Sequence, residues 1–583
     1  MGRRAVRVEG TDDEGFARSL VAERPRARLT SISEVGRRRK WLAGVLLAFT
    51  SLATARGARA QETHPKEEPE KSASGDDEIV EVLDDEPTAG AKAPKPAPEP
   101  AKTEKLELRG FARTTFQVGL SKEGSAPRPA TGADTARDLQ VGYERATSVN
   151  QAYMDVRYTR GKSFQAVLSG SLAYTASLME GRAGDRFDAR EVRSVLLEPL
   201  LREAYLGFYS DRVDLRLGQQ RIVWGNSEGA AQNDVLNARD TRNRMQLDAE
   251  MVHIPTLAAR ADFDLGLAVL GIVAQPFFTP DRASIYGSNW SLVQPDSPRH
   301  VRKFFGTYSG DRDPAEIQSA LVRSKTASEG ALSGASIGAS LRFHFGSFDA
   351  SFYYHYGRDR SPFVYLDPAV ARAFENVNSA SNPTGEDFEV IYGAQKKASA
   401  SYGGPFVVQY VRRQHVGADL TTTVGPIVLR LDTAFDSAMT FYTKQNLNSV
   451  ARPTAQAVLG AEYQRGFGRV IVLEASYLRL LGPEIPIVPT PNQANGGPLL
   501  FVKDDNLGVA NVVRWTFLET LVLETRVFLG IRPYSWVLRP EFGYATPSFT
   551  ARLGYMLIDG EGGSFGGFYR RNETLYVTTR YSF

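Results

Sequence analysis

The 583-residue sequence contains no cysteine. This absence excludes disulfide bonds, thiol nucleophiles, thiolate metal sites and a lipid-modified N-terminal cysteine. No Gly-rich phosphate loop and no His-Glu metal-binding helix pattern occurs. We therefore predict no cofactor, no metal site and no catalytic site, and we expect that the protein is not an enzyme. Histidine is scarce too, and the six residues are scattered: His64, His253, His300, His344, His355 and His415.

Long apolar runs are missing as well. After residue 60, no stretch approaches the roughly eighteen consecutive apolar residues that a membrane-spanning helix requires. The composition, 42% hydrophobic and 23% charged, lies close to the globular average, which disfavours both a fully disordered chain and a helical membrane bundle. Two classes remain, a large soluble protein and a β-rich envelope protein.

The first sixty residues have the order of parts found in a secretory signal peptide. A basic cluster at 37–40 precedes the uncharged stretch 41–55, and Ala58-Arg59-Ala60 has the small residues of a cleavage site. We predict a signal peptide over residues 36–60, with a buried core helix as the alternative. The charged residues 1–35 are predicted to be a start-site extension.

Positive charge is concentrated in this leader. Residues 1–60 hold 13 Lys and Arg against 6 Asp and Glu, so the rest of the chain has 57 basic and 61 acidic residues, a net charge of −4. We therefore predict that the protein does not bind nucleic acid. Residues 61–104 are polar, acidic and rich in proline, and we expect a disordered linker there.

From Leu106 onward, apolar and polar residues alternate with a period of two. Near residue 350, for example, Phe352 and Tyr354 share one face of an extended chain, while Ser351 and His355 share the other. Alternation over about ten residues is typical of strands with one apolar and one polar face. Strands of this length match a tilted crossing of a lipid bilayer.

We predict eighteen strands in residues 105–583, with sixteen as the alternative count. Links after even-numbered strands are short and links after odd-numbered strands are mostly long, the exception being Arg532-Pro533 after the fifteenth. This alternation is typical of an outer-membrane barrel with short periplasmic turns and long extracellular loops, so the predicted fold class is an all-β, transmembrane antiparallel β-barrel. The segments are 106–120, 147–160, 163–176, 201–210, 212–224, 257–264, 266–275, 333–345, 347–357, 408–424, 426–437, 455–465, 469–481, 505–517, 520–531, 534–545, 548–558 and 573–583.

The polar faces of these strands carry mixed charge. Closing the sheet places the apolar faces against outer-membrane lipid and the charges around a water-filled lumen. Interleaved signs disfavour a pore dedicated to phosphate. In the alternative interpretation the charges form cross-strand ion pairs that only keep the lumen polar. The residues predicted to line the lumen and set its selectivity are Arg109, Arg113, Arg157, Glu203, Asp214, Arg216, Gln220, Trp224, Arg342, Arg430, Asp432, Glu462, Glu474, Glu524 and Arg526.

Trp224 ends the fifth predicted strand, next to a long link over residues 225–256 that is rich in Asn, Asp and Arg. We predict that this link folds into the lumen and narrows it, with Trp224 as its anchor. A surface loop with an interfacial tryptophan is the alternative.

The last predicted strand ends in Tyr581-Ser582-Phe583, and apolar residues such as Leu575 and Val577 alternate along it. A final strand of this kind resembles the signal read by the barrel-assembly machinery of Gram-negative bacteria. We therefore expect this machinery as a partner, through the strand that ends in Phe583. The expected location is the cell outer membrane of a Gram-negative bacterium.

Two stretches around the fifth and seventh predicted strands carry a recognisable motif. Residues 215–225 (LRLGQQRIVWG) precede 233–240 (NDVLNARD), and 275–282 reads QPFFTPDR. The first contains a G-x-Q-x-x-x-W-G pattern that resembles an uncharacterised family of large proteobacterial outer-membrane β-barrels. The usual Asn-Pro of that family appears here as Asn237-Ala238. The resemblance implies a porin-like protein that moves solutes, with a more distant similarity to polysaccharide-export porins.

The predicted function is a porin-like channel in the outer membrane. It passes small polar or amphiphilic solutes through a charged lumen. The alternative is a surface adhesion or assembly barrel, with a plugged lumen and loops that bind a partner.

Overall fold

The computed structural model describes residues 104–120, 143–180, 191–227, 231–242, 249–284, 288–293, 331–367, 406–444, 449–464, 468–485 and 498–583, with short pieces between 369 and 397. The predicted start-site extension and signal peptide lie outside the described residues. So does the predicted linker, except for Glu104, with which the first strand begins.

Eighteen strands form one sheet, and the predicted count is confirmed. The apolar–polar alternation is the local cause, because an extended chain puts successive side chains on opposite faces. Numbered in chain order, the strands are β1 Glu104–Gly119, β2 Tyr143–Arg160, β3 Phe164–Glu180, β4 Glu191–Tyr209, β5 Val213–Gln220, β6 Thr256–Asp264, β7 Ala268–Gln275, β8 Ser336–Phe345, β9 Phe348–Arg358, β10 Arg412–Val424, β11 Ile427–Tyr442, β12 Ser449–Gln464, β13 Arg469–Leu480, β14 Asp505–Phe517, β15 Leu521–Arg532, β16 Ser535–Ala545, β17 Phe549–Gly560 and β18 Thr574–Ser582.

Each strand pairs antiparallel with its neighbours in chain order, and the last strand pairs with the first. At this seam Phe111 of β1 lies opposite Ser582 of β18. Backbone hydrogen bonds of 3.0 Å in both directions join Gly110 and Phe583 beside it. A Cβ atom on Gly110 would lie 2.6 Å from the Phe583 ring, so the close approach requires glycine. Each of the eighteen strands therefore pairs with a neighbour on both sides, so the sheet has no edge strand.

The barrel wall has one apolar and one polar face. On β9, the side chains of Phe352 and Tyr354 are exposed, whereas Ser351 and His355 are buried. The same division follows the other long strands, where the exposed apolar rows point outward. An outward apolar face is the surface that contacts the hydrocarbon of a bilayer.

The two ends of the barrel differ in the length of their links. Links after even-numbered strands have two to four residues, whereas most links after odd-numbered strands are far longer. The predicted exception is also present, since only residues 533–534 join β15 to β16. The predicted short turns at one end and long loops at the other are thus confirmed.

Several strand boundaries differ from the prediction by four residues or more, including the start of β2 at Tyr143, the end of β3 at Glu180, the start of β10 at Arg412 and the end of β11 at Tyr442. β4 begins at Glu191 instead of 201, and β12 begins at Ser449 instead of 455. The alternation is broken in β4 because the pairing with β3 shifts register between Leu168 and Gly170, which moves side chains to the other face. β5 ends at Gln220 instead of 224. The prediction that Trp224 ends the fifth strand is therefore wrong.

Short helices and two-residue or four-residue strands lie in the long links. Of the described residues, none belongs to a helix long and apolar enough to cross a membrane. The short elements are the one-turn helices Ala249–Val252 and Phe565–Phe568, the 3-10 helix Ala331–Gly334, the paired strands Ala238–Arg239 and His253–Ile254, and the paired strands Phe363–Leu366 and Phe406–Gln409.

Candidate functional site

The chain leaves the barrel wall after β5 and turns inward. We call residues 221–227 and 231–242 the first infolded segment. Its Asn237 Oδ1 accepts a hydrogen bond from Ile222 N at 3.1 Å, and its Nδ2 donates to the Ile222 carbonyl at 2.6 Å. The amide side chain thereby satisfies both backbone groups of Ile222, which a neighbouring strand would otherwise pair. Because the Asn237 side chain takes the place of a neighbouring strand at Ile222, β5 ends early.

The first infolded segment lies against the inner face of β8–β11. Trp224 stacks on Tyr353 of β9 with ring centroids 5.1 Å apart. Asn226 Nδ2 donates to Asp419 at 2.9 Å, and Ser227 N donates to Asp432 at 3.0 Å. These two carboxylates lie opposite each other on β10 and β11. This part of the chain therefore crosses the interior of the barrel.

Apolar packing holds the segment on this wall. A Cβ atom on Gly338 of β8 would lie 2.6 Å from the Trp224 ring, so glycine makes room for the indole. Burying apolar side chains of this size contributes about 1.5–3 kcal/mol each. The buried cluster consists of Ile222, Trp224, Val235, Leu236, Ala258, Val273 and Tyr353.

A buried arginine joins the first infolded segment to the link that follows β7. Arg360, just after β9, donates to the carbonyls of Leu236 and Thr279 at 2.5 and 2.6 Å and to Gln275 Oε1 at 3.1 Å. Burial lowers the pKa of Arg360 to about 10, so the guanidinium still carries its charge at neutral pH. Hydrogen bonds from a charged donor are stronger than neutral ones, so Arg360 fixes several backbone positions at once.

Two buried carboxylates complete this junction. Asp234 is hydrogen-bonded to His253 and lies 3.2 Å from both Arg239 and Asn237. Burial opposes its ionisation, but the hydrogen bond from His253 and the charge of Arg239 hold the pKa of Asp234 below its usual range. Asp281 accepts a hydrogen bond from Arg239 N at 2.7 Å, and burial raises the pKa of Asp281 to about 6.

The link after β7 reaches the opposite wall. We call residues 276–284 and 288–293 the second infolded segment. Trp290 packs on Tyr569 with ring centroids 5.2 Å apart and is buried together with Tyr576 of β18. Asn572 Nδ2 donates to the Asn289 carbonyl at 2.6 Å. Because β18 stands seven strand positions from β7 around the sheet of eighteen, the described parts of this segment lie against two different walls.

Most residues predicted to line the lumen lie on the inner face of the strands. Their side chains point away from the exposed apolar rows. Trp224 is the exception, because it lies in the first infolded segment. The inner-face residues are Arg109, Arg113, Arg157, Glu203, Asp214, Arg216, Gln220, Arg342, Arg430, Asp432, Glu462, Glu474, Glu524 and Arg526.

The structure brings several of these charges into ion pairs. The shortest contacts are Arg430–Glu462 at 2.5 Å, Arg526–Glu524 at 2.6 Å, Arg109–Glu107 and Arg342–Asp262 at 2.7 Å, and Arg157–Asp155 at 2.8 Å. Pairing inside the wall is what the alternative interpretation of these charges expects. The electric field in the lumen depends on which member of each ion pair is exposed to the water.

Six predicted lining residues are buried within the protein, namely Gln220, Trp224, Asp432, Glu462, Glu474 and Glu524. Gln220 Nε2 donates to the Ala258 carbonyl at 3.0 Å and so holds β5 to β6. Trp224 belongs to the first infolded segment and packs on Tyr353, and Glu474 is 3% exposed. Because a solute meets only the groups that reach water, these buried side chains act on the shape of the lumen.

Arg360 and Tyr353 were missed by reasoning from the sequence. Tyr353 belongs to the polar face of a predicted strand, and Arg360 is one charge among many in a long link. Their roles depend on contacts with residues more than one hundred positions away, such as Leu236 and Trp224. Of these interior residues, only Asn237 could have been singled out from the sequence, because it lies in the motif that follows β5.

A closed antiparallel barrel with an apolar outside and a polar, ionic inside is a porin-like barrel of the outer membrane. This protein is therefore a porin-like β-barrel, and it is located in the outer membrane. The chain belongs to the family described as "Protein of unknown function (DUF1302)", which matches residues 41–496. The expected membership in an uncharacterised barrel family is confirmed. Among curated proteins, none matches.

Solved structures of large outer-membrane barrels are similar to this chain. OccAB4 of Acinetobacter baumannii has 9% identity and a TM-score of 0.41, with 83% of this chain and 99% of that chain covered. OmpF of Salmonella typhi, solved in complex with daunomycin, has 11% identity and a TM-score of 0.34, with 82% and 97% covered. The outer membrane channel DcaP of Acinetobacter baumannii has 10% identity and a TM-score of 0.34, with 82% and 97% covered. The assignment of this chain rests on its own strand pairing and its two-faced wall.

Proposed function

We propose that the protein is a channel that passes small polar or amphiphilic solutes across the outer membrane. The observation that carries the proposal is the closed wall of eighteen strands with charged side chains on its inner face. A barrel of this size is wider than its own side chains can fill, which favours a water-filled lumen. The outer face of the barrel then contacts membrane lipid, and the inner face contacts small solutes.

The two infolded segments narrow this lumen in our proposal. The first is held on β8–β11 through Trp224, Asn226 and Ser227. The second is held on β18 through Trp290. Segments bound to the inner wall reduce the cross-section, and the residues along them decide which solutes pass.

For a channel of this kind we expect no catalytic activity, no cofactor and no binding of nucleic acid. Export through the signal peptide at 36–60 precedes insertion, which the barrel-assembly machinery performs after it recognises the strand ending in Phe583. The exposed ring of Phe583 at the seam is accessible for such recognition.

Single-channel recording of the refolded barrel in planar bilayers tests the proposal. We expect discrete conductance steps from the wild type and larger, fluctuating steps from Trp224→Ala, because the first infolded segment loses its aromatic contact with Tyr353. Trp515→Ala is the matched control, since Trp515 stacks on Phe517 and under Arg469 on the outer face. Its conductance should equal that of the wild type.

Two outcomes would count against this function. Unchanged conductance in Trp224→Ala would show that the segment does not narrow the lumen. Silence of the wild type would favour the second candidate, a surface adhesion or assembly barrel with a plugged lumen. The observation that favours this candidate is the attachment of both infolded segments to the walls, since such segments can also close a barrel.

A further inference from the structure

The inner face separates its charges by depth, most clearly in a cluster on β14–β17. We call Glu524, Arg514, Arg526 and Arg552 the arginine cluster. The Glu524 carboxylate contacts the three guanidinium groups at 2.9, 2.6 and 3.2 Å. The side chain of Glu524 is 1% exposed, whereas those of Arg514 and Arg526 are 43% and 37% exposed. The acid is therefore enclosed and the bases meet the water.

The same arrangement recurs around the barrel. In each pair the carboxylate is more enclosed than the guanidinium that contacts it. The pairs are Asp155 with Arg157, Asp262 with Arg260 and Arg342, Glu462 with Arg430, and Glu541 with Arg539 and Arg552.

Side-chain length is the physical cause. An Asp or Glu carboxylate stays close to the backbone, whereas the longer arginine side chain lies along the wall and carries its charge into water. Ion pairs oriented in this way add little net charge, yet they point their positive ends at the lumen. Low-dielectric walls concentrate the resulting field in the water between them.

Partly exposed carboxylates also face the lumen and oppose this field. Those on the described strands include Glu107, Glu203, Asp214, Asp264 and Asp349. Several of them have basic neighbours: Glu107 contacts Lys105 and Arg109, Asp349 is paired with His344, and Asp214 is two residues from Arg216 on β5. Their effect is therefore local.

We infer that the lumen selects anions, and that the arginine cluster binds solutes carrying a carboxylate or a similar anionic oxygen group. The inference rests on the proposed channel function. Guanidinium groups bind such oxygens through paired hydrogen bonds, and three of them stand together near the end of the barrel that has the short turns. An anion that reaches this end meets several donors whose own carboxylate is already enclosed.

The reversal potential in a KCl gradient across a planar bilayer tests the inference. We expect chloride to permeate faster than potassium in the wild type. Arg526→Gln should lower the chloride-to-potassium permeability ratio by about two- to threefold, the size expected for one charge a few ångström away in water. Glu524→Gln should raise the ratio, because it frees positive charge beside the lumen.

Arg469→Gln is the matched control, because Arg469 lies at the same end of the barrel but on the outer face, 4.8 Å over the Trp515 ring. Its ratio should equal that of the wild type. Heat-dependent electrophoretic mobility verifies that each variant folds. Replacing chloride with acetate should preserve the current carried by the anion, and Arg526→Gln should reduce that current.

The outcomes separate the inference from the channel function on which it rests. A wild type that conducts but prefers potassium would overturn the inference and leave the channel intact. Equal ratios for Arg526→Gln, Glu524→Gln and the wild type would remove the arginine cluster from selectivity. Absence of any conductance would instead contradict the proposed function.

Discussion

Two walls of the barrel hold buried carboxylates in different ways. On the wall of β10 and β11, Asp419 and Asp432 accept hydrogen bonds from Asn226 and Ser227, which are uncharged donors of the first infolded segment. On the wall of β14–β17, Glu524 is enclosed by arginines. A buried carboxylate requires donors on either wall. The loop covers its carboxylates with uncharged groups, whereas the arginines compensate Glu524 and present their own positive charge to the lumen.

The largest expected effect is the loss of the first infolded segment from its wall. Arg360→Ala removes the guanidinium that donates to the Thr279 carbonyl, and it leaves the Leu236 carbonyl and Gln275 Oε1 with one donor each, from Gln275 Nε2 and the Ser336 hydroxyl. We expect the free energy of unfolding to fall by about 3–5 kcal/mol, because several hydrogen bonds from a charged donor are lost together. Urea titration of the barrel in lipid measures this change.

Arg479→Ala is the control for that titration, because the Arg479 side chain is 59% exposed. It should shift the free energy of unfolding by no more than about 0.5 kcal/mol. Equal stability of the two variants would show that Arg360 does not hold the segment.

A pair of variants compares the two walls directly. Asp432→Asn keeps an oxygen that accepts from Ser227 N and lies under the uncharged first infolded segment, so the chloride-to-potassium ratio should rise by less than it does in Glu541→Gln. Glu541→Gln leaves Arg539 and Arg552 with less negative charge beside them, and the ratio should rise by about twofold. Reversal potentials of both variants provide the measurement. Shifts of equal size would contradict the contrast between the walls.

The smallest effect is a pH dependence at the junction of the two infolded segments. Since burial raises the pKa of Asp281 to about 6, the folded protein favours the protonated acid. This contribution to stability is complete below the ordinary aspartate pKa of about 4 and is lost as the pH rises through about 6. The unfolding free energy of the wild type relative to Asp281→Asn should therefore fall between pH 4 and about 7. A constant difference would contradict the raised pKa.

Most of the fold could be predicted from the sequence because the alternation is a local property. The faces of β9 are visible in the order of Ser351, Phe352 and Tyr353, and the short turns appear as breaks between alternating segments. The early end of β5 could not be predicted in this way. It depends on the Asn237 side chain, which pairs with Ile222 only after the chain has folded back.

The candidate site was predictable in composition but not in arrangement. The alternation in the sequence assigned Glu524 and Arg526 to the inner face of the barrel, which is where the structure has them. It could not show that Glu524 is enclosed while Arg526 reaches water, because this depth is set by side-chain conformation and by Arg514 and Arg552 on other strands. Interleaved signs in the sequence therefore concealed the positive lumen surface that we infer from the arrangement of these pairs.

The central claim is that the apolar faces contact lipid while the polar faces enclose water. Adjacent positions of β18 test it, because the chain has no cysteine of its own and a single introduced thiol reports without background. In liposomes, a charged maleimide should label Thr578→Cys on the inner face and spare Val577→Cys on the exposed apolar face. Rapid labelling of Val577→Cys, with Thr578→Cys protected, would contradict the account.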